Sequence, residues 1–145
     1  MAQYRTVVNG VPMIVTTVTK YREPFFVDPA IAREAVETLY RTKALHPFVL
    51  HGFVIMPDHC HLLVCVPKPE TISRFMNVFK SGLTFNTGIP QIWQRRFHIK
   101  TARKKEQIFL RYIHNNPVVA GLVERPETYP WSSACGKWNV DPFPS

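Results

Sequence analysis

The sequence predicts one α+β domain in which an antiparallel sheet carries two helices on one face. Two observations support this fold class. Patterned segments follow one another in the order β-α-β-β-α-β-α along 145 residues, a length that suits one domain with its own core. The two middle strand patterns are separated only by Pro57 and Asp58, and so short a link joins antiparallel neighbours. Because no linker, repeat or low-complexity tract interrupts the chain, we predict a single domain over residues 1–145.

The first part of the chain contains a strand pattern and then a helix pattern. Residues 11–21, VPMIVTTVTKY, are rich in β-branched side chains and predict a strand. Residues 28–45 predict a helix, because Asp28 can cap its beginning and Pro29 occupies the first helical position. One face of this helix carries Ile31, Ala35, Leu39 and Thr42.

A predicted hairpin follows in the middle of the chain. Residues 47–56, PFVLHGFVIM, and residues 59–66, HCHLLVCV, predict its two strands. Residues 71–83 predict a second helix, because apolar side chains recur there at helical spacing. These side chains are Ile72, Phe75, Met76 and Phe79. Residues 89–101, IPQIWQRRFHIKT, predict a fourth strand.

The last patterned segment is helical. Residues 103–116, RKKEQIFLRYIHNN, predict a third helix that ends before Pro117. The first six elements have the split β-α-β order of ferredoxin-like folds, so this helix is an extra C-terminal element. We expect it to cover an edge of the sheet or to lie on its open face. Residues 117–145, rich in Pro and aromatics, are expected to form an irregular, packed tail.

Composition narrows the class of protein and its partners. Lys and Arg number 18 against 10 Asp and Glu, a net charge of +8 that favours nucleic acid as a partner. No apolar run approaches the roughly 18 residues of a membrane span, and the N-terminus lacks the apolar segment of a signal peptide. Three cysteines without CxxC spacing, Cys60, Cys65 and Cys135, fit a reducing compartment. We therefore expect a cytoplasmic protein without a membrane partner.

The segment MPDHCHLLV, residues 56–64, places two histidines at the beginning of a strand that is central in the predicted sheet. Side chains alternate along a strand, so His59 and His61 share one face while Cys60 points to the other. Two neutral imidazoles so placed form half of a metal site. A closed zinc site is disfavoured, since Cys60 points away and no CxxC or HxxxH adds ligands. An open divalent-ion site fits better, and the plainer alternative is a pair of hydrogen-bonded, partly buried histidines.

The predicted third helix carries a tyrosine among apolar side chains. Ile108, Phe109, Tyr112 and Ile113 form a stripe at helical spacing, which predicts that Tyr112 faces protein rather than bulk water. Taken alone, this pattern indicates a core tyrosine. Asn116 lies one turn further along the same face, where its side chain can also cap the end of the helix. His114 points elsewhere and is interpreted as structural.

Basic residues are concentrated between the fourth strand and the third helix. They are Arg95, Arg96, Lys100, Arg103, Lys104 and Lys105. This cluster is a candidate phosphate-binding track, and Trp93 and Phe97 within it are candidates for stacking on bases. The alternative is a solvated basic strand end with core aromatics.

Two motifs together resemble a known family. VIMPDHCHLLV and FLRYIHNNPVVAGLVERPETYPWSS are similar to motifs of the single-tyrosine HUH transposases (His-hydrophobic-His), the IS200-like group, and among them to the REP-associated tyrosine transposases. Members commonly read MPNHVHLLV in the first motif and YIHxNPVxAGLV, then YPWSS, in the second. The resemblance covers roughly residues 11–134. In this chain Asp58 stands where Asn is common, beside the histidines.

The resemblance implies an activity and roles for particular residues. His59, His61 and Asn116 would hold a divalent ion, Mg²⁺ or Mn²⁺, and Tyr112 would be the nucleophile. The implied reaction is cleavage and rejoining of single-stranded or hairpin DNA through a 5′-phosphotyrosine. Some relatives place the tyrosine helix on a partner subunit, so a homodimer is one possibility. The alternatives are a DNA-binding module of the same fold without catalysis and a hydrolase that uses the histidines alone.

Overall fold

The computed structural model describes residues 10–143, and over that range the chain forms four strands and three longer helices. In chain order they are β1 (Met13–Thr19), α1 (Pro29–Leu45), β2 (Val49–Met56), β3 (His59–Cys65), α2 (Ile72–Thr87), β4 (Trp93–Thr101) and α3 (Glu106–Val119). No helix within the described range has the length and apolar character needed to cross a bilayer.

The four strands form one antiparallel sheet in the order β2-β3-β1-β4. This is the order of the split β-α-β arrangement, so the predicted α+β, ferredoxin-like fold class is confirmed. The predicted hairpin is also confirmed, because β2 and β3 pair directly and Met56 lies opposite His59. The histidine strand β3 is one of the two central strands, as predicted.

The main core lies between one face of the sheet and the helices α1 and α2. Phe53 and Leu62 on the sheet, Leu39 on α1 and Phe75 on α2 are fully buried in it. The predicted cap of α1 is present, since the Asp28 side chain accepts a hydrogen bond from the Ala30 backbone at 2.9 Å. Because burial of this face provides the main hydrophobic stabilisation, the opposite face of the sheet can carry polar groups.

The opposite face of the sheet is only partly covered. Helix α3 lies on it, and a smaller buried cluster joins Ile113 of this helix to Val54 and Leu63 of the sheet and to Tyr129 of the tail. Of the two positions expected for the extra helix, the structure therefore shows the one on the open face. The histidine side of β3 faces this thinner layer.

Several predicted boundaries differ from the structure by a few residues, and backbone conformation explains three of them. β1 ends at Thr19, because Tyr21 has a left-handed φ of 56° that breaks the extended chain. β4 begins only at Trp93, after Gln91 at a φ of 55°. α2 continues to Thr87, where Gly88 takes the left-handed conformation that commonly ends a helix.

The prediction that Pro117 ends the third helix is wrong. Helix α3 continues to Val119 with Pro117 buried inside it. A proline in the last turn removes one backbone hydrogen bond, and only a short piece of helix follows it. The Asn116 carbonyl still accepts from the Ala120 amide at 3.0 Å, so the backbone beyond the proline keeps helical bonding. The Asn116 side chain therefore does not cap a helix end at this position.

The tail covers the outer edge of β2, in agreement with the predicted irregular and packed segment. The Ile55 amide donates to the Trp131 carbonyl at 2.8 Å, and the Tyr129 hydroxyl donates to the Ile55 carbonyl at 2.6 Å. Val54 and Ser132 form an isolated antiparallel bridge. These bonds satisfy backbone groups that an uncovered edge strand would expose to pairing with other chains.

The Tyr129 hydroxyl provides a test of this tail. We expect Tyr129→Phe to lower the free energy of unfolding by about 1–3 kcal/mol, because the buried Ile55 carbonyl loses its partner while the ring stays in place. Urea denaturation measures the change. Thr128→Val is a matched control, since the Thr128 hydroxyl donates to the Arg125 carbonyl on the exposed surface. An equal loss in both variants would contradict the assigned role of the Tyr129 bond.

Candidate active site

The two histidines lie side by side at the beginning of β3. His59 and His61 pair across the sheet with Val18 and Thr16, and their ring centroids are 4.9 Å apart. Cys60 between them is fully buried in the main core on the other face of the sheet. Burial raises the pKa of the Cys60 thiol to about 12. The predicted alternation is therefore confirmed, and Cys60 cannot join the histidines in a closed zinc site.

Asp58 orients the first histidine. Its carboxylate lies 2.7 Å from His59 Nδ1 and 3.1 Å from Arg22 Nη1. Burial alone would raise the pKa of the Asp58 carboxyl, but the hydrogen bonds from His59 and Arg22 outweigh it and hold that pKa below its usual value. An ionised carboxylate can accept a proton from Nδ1, and in the neutral tautomer that carries this proton the Nε2 lone pair of His59 is free.

Thr16 is the hydrogen-bond partner of the second histidine, as Asp58 is of the first. Its hydroxyl lies 2.8 Å from His61 Nδ1, across the β1–β3 pairing. Burial, with the neighbouring His59, lowers the pKa of His61 to about 4. The His61 imidazole is therefore neutral at neutral pH, which is the state that binds a metal ion. When Nδ1–H donates to Thr16, Nε2 of His61 is free in the same way as that of His59.

Tyr112 stands against the second histidine, although its surroundings differ from those predicted. The Tyr112 and His61 ring centroids are 5.5 Å apart, with the rings inclined at 64°. The prediction that Tyr112 faces protein is wrong in part, since Tyr112 is 52% exposed and Ile108 on the same side is 55% exposed. The side of α3 that packs on the sheet carries Phe109, Leu110, Ile113 and Pro117. Tyr112 therefore lies at the rim of the helix contact, with the His61 ring beside it.

Contacts with β2 and the tail hold the tyrosine helix on the sheet. His114 Nε2 lies 2.8 Å from the Ser133 hydroxyl, which also accepts from the Phe53 amide at 3.0 Å. A Cβ at Gly52 would lie 2.5 Å from Leu110 Cδ1, so the absence of a side chain there permits the close approach of α3. Burial lowers the pKa of His114. The interpretation of His114 as structural agrees with these contacts.

The donor set of the site is small. Over residues 10–143, no group of three or more His, Cys, Asp or Glu side chains is arranged to hold a metal ion. The candidate nitrogen donors are therefore the two imidazoles whose Nδ1 atoms are hydrogen-bonded. Asn116 lies half-buried one turn beyond Tyr112 on α3. The histidine pair suits an ion that takes its remaining ligands from other groups, a substrate or water.

The predicted basic cluster is exposed but divided among separate surfaces. All six side chains, Arg95, Arg96, Lys100, Arg103, Lys104 and Lys105, are exposed. Lys100 lines a cavity together with His61 and Tyr112. Arg95 lines different cavities, next to Lys80 and to Lys20. Arg103 lines another near the beginning of the described chain. Of the six, Lys100 lines the cavity beside His61 and Tyr112, and Arg96 shares its face of β4 by strand alternation.

Trp93 and Phe97 are core residues rather than base platforms. Trp93 is 7% exposed, and its ring packs 5.4 Å from Phe26 and 5.9 Å from Phe79. Phe97 packs against the same core. The suggestion that Trp93 stacks on bases is therefore wrong. For Phe97, packing against the core favours the alternative of a core aromatic. Both side chains point to the helix-covered face of β4, because alternate strand positions share a face.

Sequence reasoning missed two residues of the site, Thr16 and Arg22. Thr16 belongs to a β-branched run, TTVT, that reads as an ordinary strand, and its role depends on the strand register with His61. Arg22 follows β1 at a left-handed φ of 56°, which is uncommon for a residue with a Cβ. The pattern carried no signal for either one, since the partner in each case lies more than 30 positions away.

Comparison with known proteins gives one family match and several relatives. Residues 8–116 match the family model described as Transposase IS200 like. A protein of Haemophilus influenzae named as a REP-associated tyrosine transposase is 33% identical over 105 residues, covering 61% of this chain and 60% of the relative. The matched region thus spans less than two thirds of that relative's length.

Two solved structures resemble the fold. A REP-associated tyrosine transposase solved bound to a REP hairpin superposes with a TM-score of 0.78 at 23% identity, covering 95% of this chain and 88% of that one. A crystal structure from Deinococcus radiodurans assigned as a transposase gives a TM-score of 0.56 at 22% identity, covering 72% of this chain and 89% of the other. At 23% and 22% identity, these two structural likenesses show the fold alone.

Proposed function

Because the chain belongs to the IS200-like transposase family, we propose that it cleaves and rejoins single-stranded DNA through a covalent bond between Tyr112 and a 5′-phosphate. The observation that carries this proposal is the position of Tyr112, an exposed tyrosine whose ring lies 5.5 Å from His61 of the same chain. DNA could not reach a buried core tyrosine, whereas this half-exposed one lies beside the histidine pair.

The proposed reaction is a displacement at phosphorus. The Tyr112 oxygen attacks the phosphorus and gives its proton to water, the P–O3′ bond breaks, and the departing 3′-oxygen takes a proton from water to become a 3′-hydroxyl. A covalent phosphotyrosine keeps the energy of the broken bond for rejoining. Phenolate is a better leaving group than an alkoxide, so a later attack by a 3′-hydroxyl can reverse the step.

The histidine pair is proposed to hold a divalent ion, Mg²⁺ or Mn²⁺, through the Nε2 atoms of His59 and His61. Asn116 is the proposed third ligand, since an amide on α3 adds no negative charge. When bound, the ion would polarise the phosphate and offset charge on its non-bridging oxygens. Asp58 and Thr16 fix the orientation of the two rings by holding their Nδ1 atoms.

The proposed DNA substrate is a hairpin with a single-stranded flank. One structural relative was solved with a REP hairpin, and the net charge of +8 in this chain suits a polyanion. Lys100 lines the cavity that contains Tyr112, so it is the proposed contact for a phosphate near the reacting bond. The other basic residues of the predicted track would contact DNA further from the reacting bond.

A direct assay tests the proposal. Labelled hairpin oligonucleotides with single-stranded flanks are incubated with the protein and Mg²⁺ or Mn²⁺, then separated on denaturing gels. We expect a shortened strand that ends in a 3′-hydroxyl and a protein–DNA adduct that survives denaturation. DNA binding without either product over a broad set of hairpins would favour the alternative of a module without catalysis.

The role of Asp58 gives a graded prediction. We expect Asp58→Ala to weaken Mn²⁺ binding and metal-dependent cleavage by roughly 10–100-fold, the usual effect of removing a residue that orients a metal-binding histidine. Asp58→Asn should retain most of both, because an amide oxygen can still accept the proton on His59 Nδ1. Calorimetric titration with Mn²⁺ measures the first effect. Equal losses in the two variants would show that charge, not ring orientation, is what Asp58 supplies.

Lys100 gives a prediction about salt dependence. If its ammonium contacts a phosphate, Lys100→Gln should reduce the slope of log affinity against log salt for single-stranded DNA by about 0.7. Lys137→Gln is the matched control, because Lys137 is exposed in the tail that covers the opposite edge of the sheet. Fluorescence anisotropy at several salt concentrations measures both slopes. An unchanged slope for Lys100→Gln would place the phosphate contacts elsewhere.

A further inference from the structure

A cavity of about 590 Å³ lies beside the paired rings of His61 and Tyr112, between the sheet and α3. Its apolar wall comes largely from Ile14 on β1 and from Ile108 and Phe109 on α3. The size and the mostly apolar lining are those of a small-ligand pocket, which typically measures about 300–1,000 Å³. The reaction proposed above uses one side of this cavity and leaves the rest without a role.

The part of the apolar wall that Ile108 forms is open to solvent, unlike a core contact. Ile108 lies one turn before Tyr112 and is 55% exposed, although it belongs to the stripe that sequence pattern assigns to the core. The helix packs on the sheet through its neighbouring side, so Ile108 is left to line the cavity. Ile108 and the half-exposed Tyr112 together present an apolar surface at a concavity, the kind of surface that marks interaction sites and ligand grooves.

The polar side chains of the cavity indicate the charge of its ligand. Lys100 and His98 line it from β4. The Lys100 ammonium lies 5.7 Å from the centroid of the Phe109 ring, so a positive charge and an aromatic face are presented together. A ligand with a flat apolar part and a negative group fits both. A nucleotide has this composition, since its base stacks on apolar surfaces and its phosphate attracts lysine.

We propose that this cavity binds the base of a nucleotide that adjoins the phosphate attacked by Tyr112, and that Ile108 is a specificity-determining residue of that pocket. This inference rests on the proposed function, because Tyr112 would be joined to that same strand. His61 and Tyr112 both line the cavity, so a phosphate bound beside the two rings places its neighbouring base at the apolar wall. The size and shape of the wall then select which bases are accepted next to the cleavage point.

The test uses DNA binding in the absence of divalent metal, so that it does not depend on cleavage. The probe is a DNA hairpin with a short single-stranded flank in which one abasic site is moved a position at a time. For the unmodified protein, we expect an abasic site at one flank position to weaken binding by at least about fivefold, the lower end of what a stacked base contributes. Fluorescence anisotropy gives the affinities.

Ile108→Trp puts a bulky ring into the part of the cavity next to Tyr112 and supplies the decisive comparison. We expect it to weaken binding of the intact hairpin and to make the sensitive position indifferent to loss of its base. Val119→Trp is the matched control, because Val119 is on the same helix, is 84% exposed and does not line the cavity. It should keep the profile of the unmodified protein. Both substitutions are at exposed positions, so the fold is not at risk.

The outcomes separate this inference from the proposed function. A flat abasic profile, or one that Ile108→Trp leaves unchanged, in a protein that cleaves hairpins overturns the base pocket alone. A position-specific profile that Ile108→Trp removes, in a protein that never forms an adduct, supports the base pocket and refutes the proposed reaction. No binding of hairpin DNA at all overturns both.

Discussion

Tyr112→Phe is expected to bind hairpin DNA like the unmodified protein and to cleave none of it. The substitution removes one oxygen, which is the proposed nucleophile, and keeps the ring beside His61. Because Tyr112 is half-exposed, loss of its hydroxyl should change the free energy of unfolding by no more than about 1 kcal/mol. Cleavage and adduct formation should fall by several orders of magnitude, as they do when an enzyme loses its nucleophile.

Tyr21→Phe provides the matched control for this prediction. Tyr21 is 84% exposed and does not line the cavity beside His61, so removing its hydroxyl should leave cleavage unchanged. Denaturing gels show the adduct as a labelled band at the mass of the protein plus the bound strand. An adduct that still forms with Tyr112→Phe would mean that another residue is the nucleophile, and the proposed mechanism would be wrong.

Removal of either imidazole has the second large expected effect. His59→Ala and His61→Ala should each abolish metal-dependent cleavage, because a single histidine and one amide leave too few protein ligands to hold Mg²⁺ or Mn²⁺. Calorimetry should show Mn²⁺ binding lost or weakened by more than 100-fold, beyond the effect expected for the Asp58 carboxylate that only orients one ring. Binding of hairpin DNA without metal should persist.

His46→Ala is the control for the histidine variants. His46 lies at the end of α1, on the helix-covered side of the sheet, where its Nδ1 is 3.3 Å from Glu70. Its removal should leave both Mn²⁺ binding and cleavage intact. Circular dichroism checks that all three variants are folded. Full metal-dependent cleavage by His59→Ala or His61→Ala would remove the metal site from the mechanism.

The sequence determined the fold class and the face of the sheet on which each side chain of the histidine strand lies. The order of apolar patterns and the two-residue link at Pro57 and Asp58 were enough, because local periodicity and link length restrict the possible topologies strongly. Alternation along β3 placed Cys60 in the core and both histidines on the other face, as observed. Both inferences follow from local geometry along the chain. They did not require knowledge of which distant residues contact one another in the fold.

Helix α3 shows where pattern reading is insufficient. Its apolar stripe predicts that Ile108 and Tyr112 are buried, yet the helix packs through Leu110 and Ile113. Two adjacent sides of this helix are apolar, and periodicity cannot tell which of them the sheet will bury. The close approach at Gly52 and the bond between His114 and Ser133 select the observed orientation.

The tertiary structure alone decided the surroundings of the site. Thr16 meets His61 through strand register, and Arg22 meets Asp58 across 36 positions of sequence. Three basic residues that are close in sequence line different cavities, and of these Lys100 lines the cavity of His61 and Tyr112, while Arg95 and Arg103 line others. A sequence specifies such contacts only through the complete packing of the chain, because each depends on the mutual placement of elements that have no local interaction with one another. The candidate residues could therefore be identified from the sequence. The fold determined their orientation, their hydrogen-bond partners and the cavity beside them.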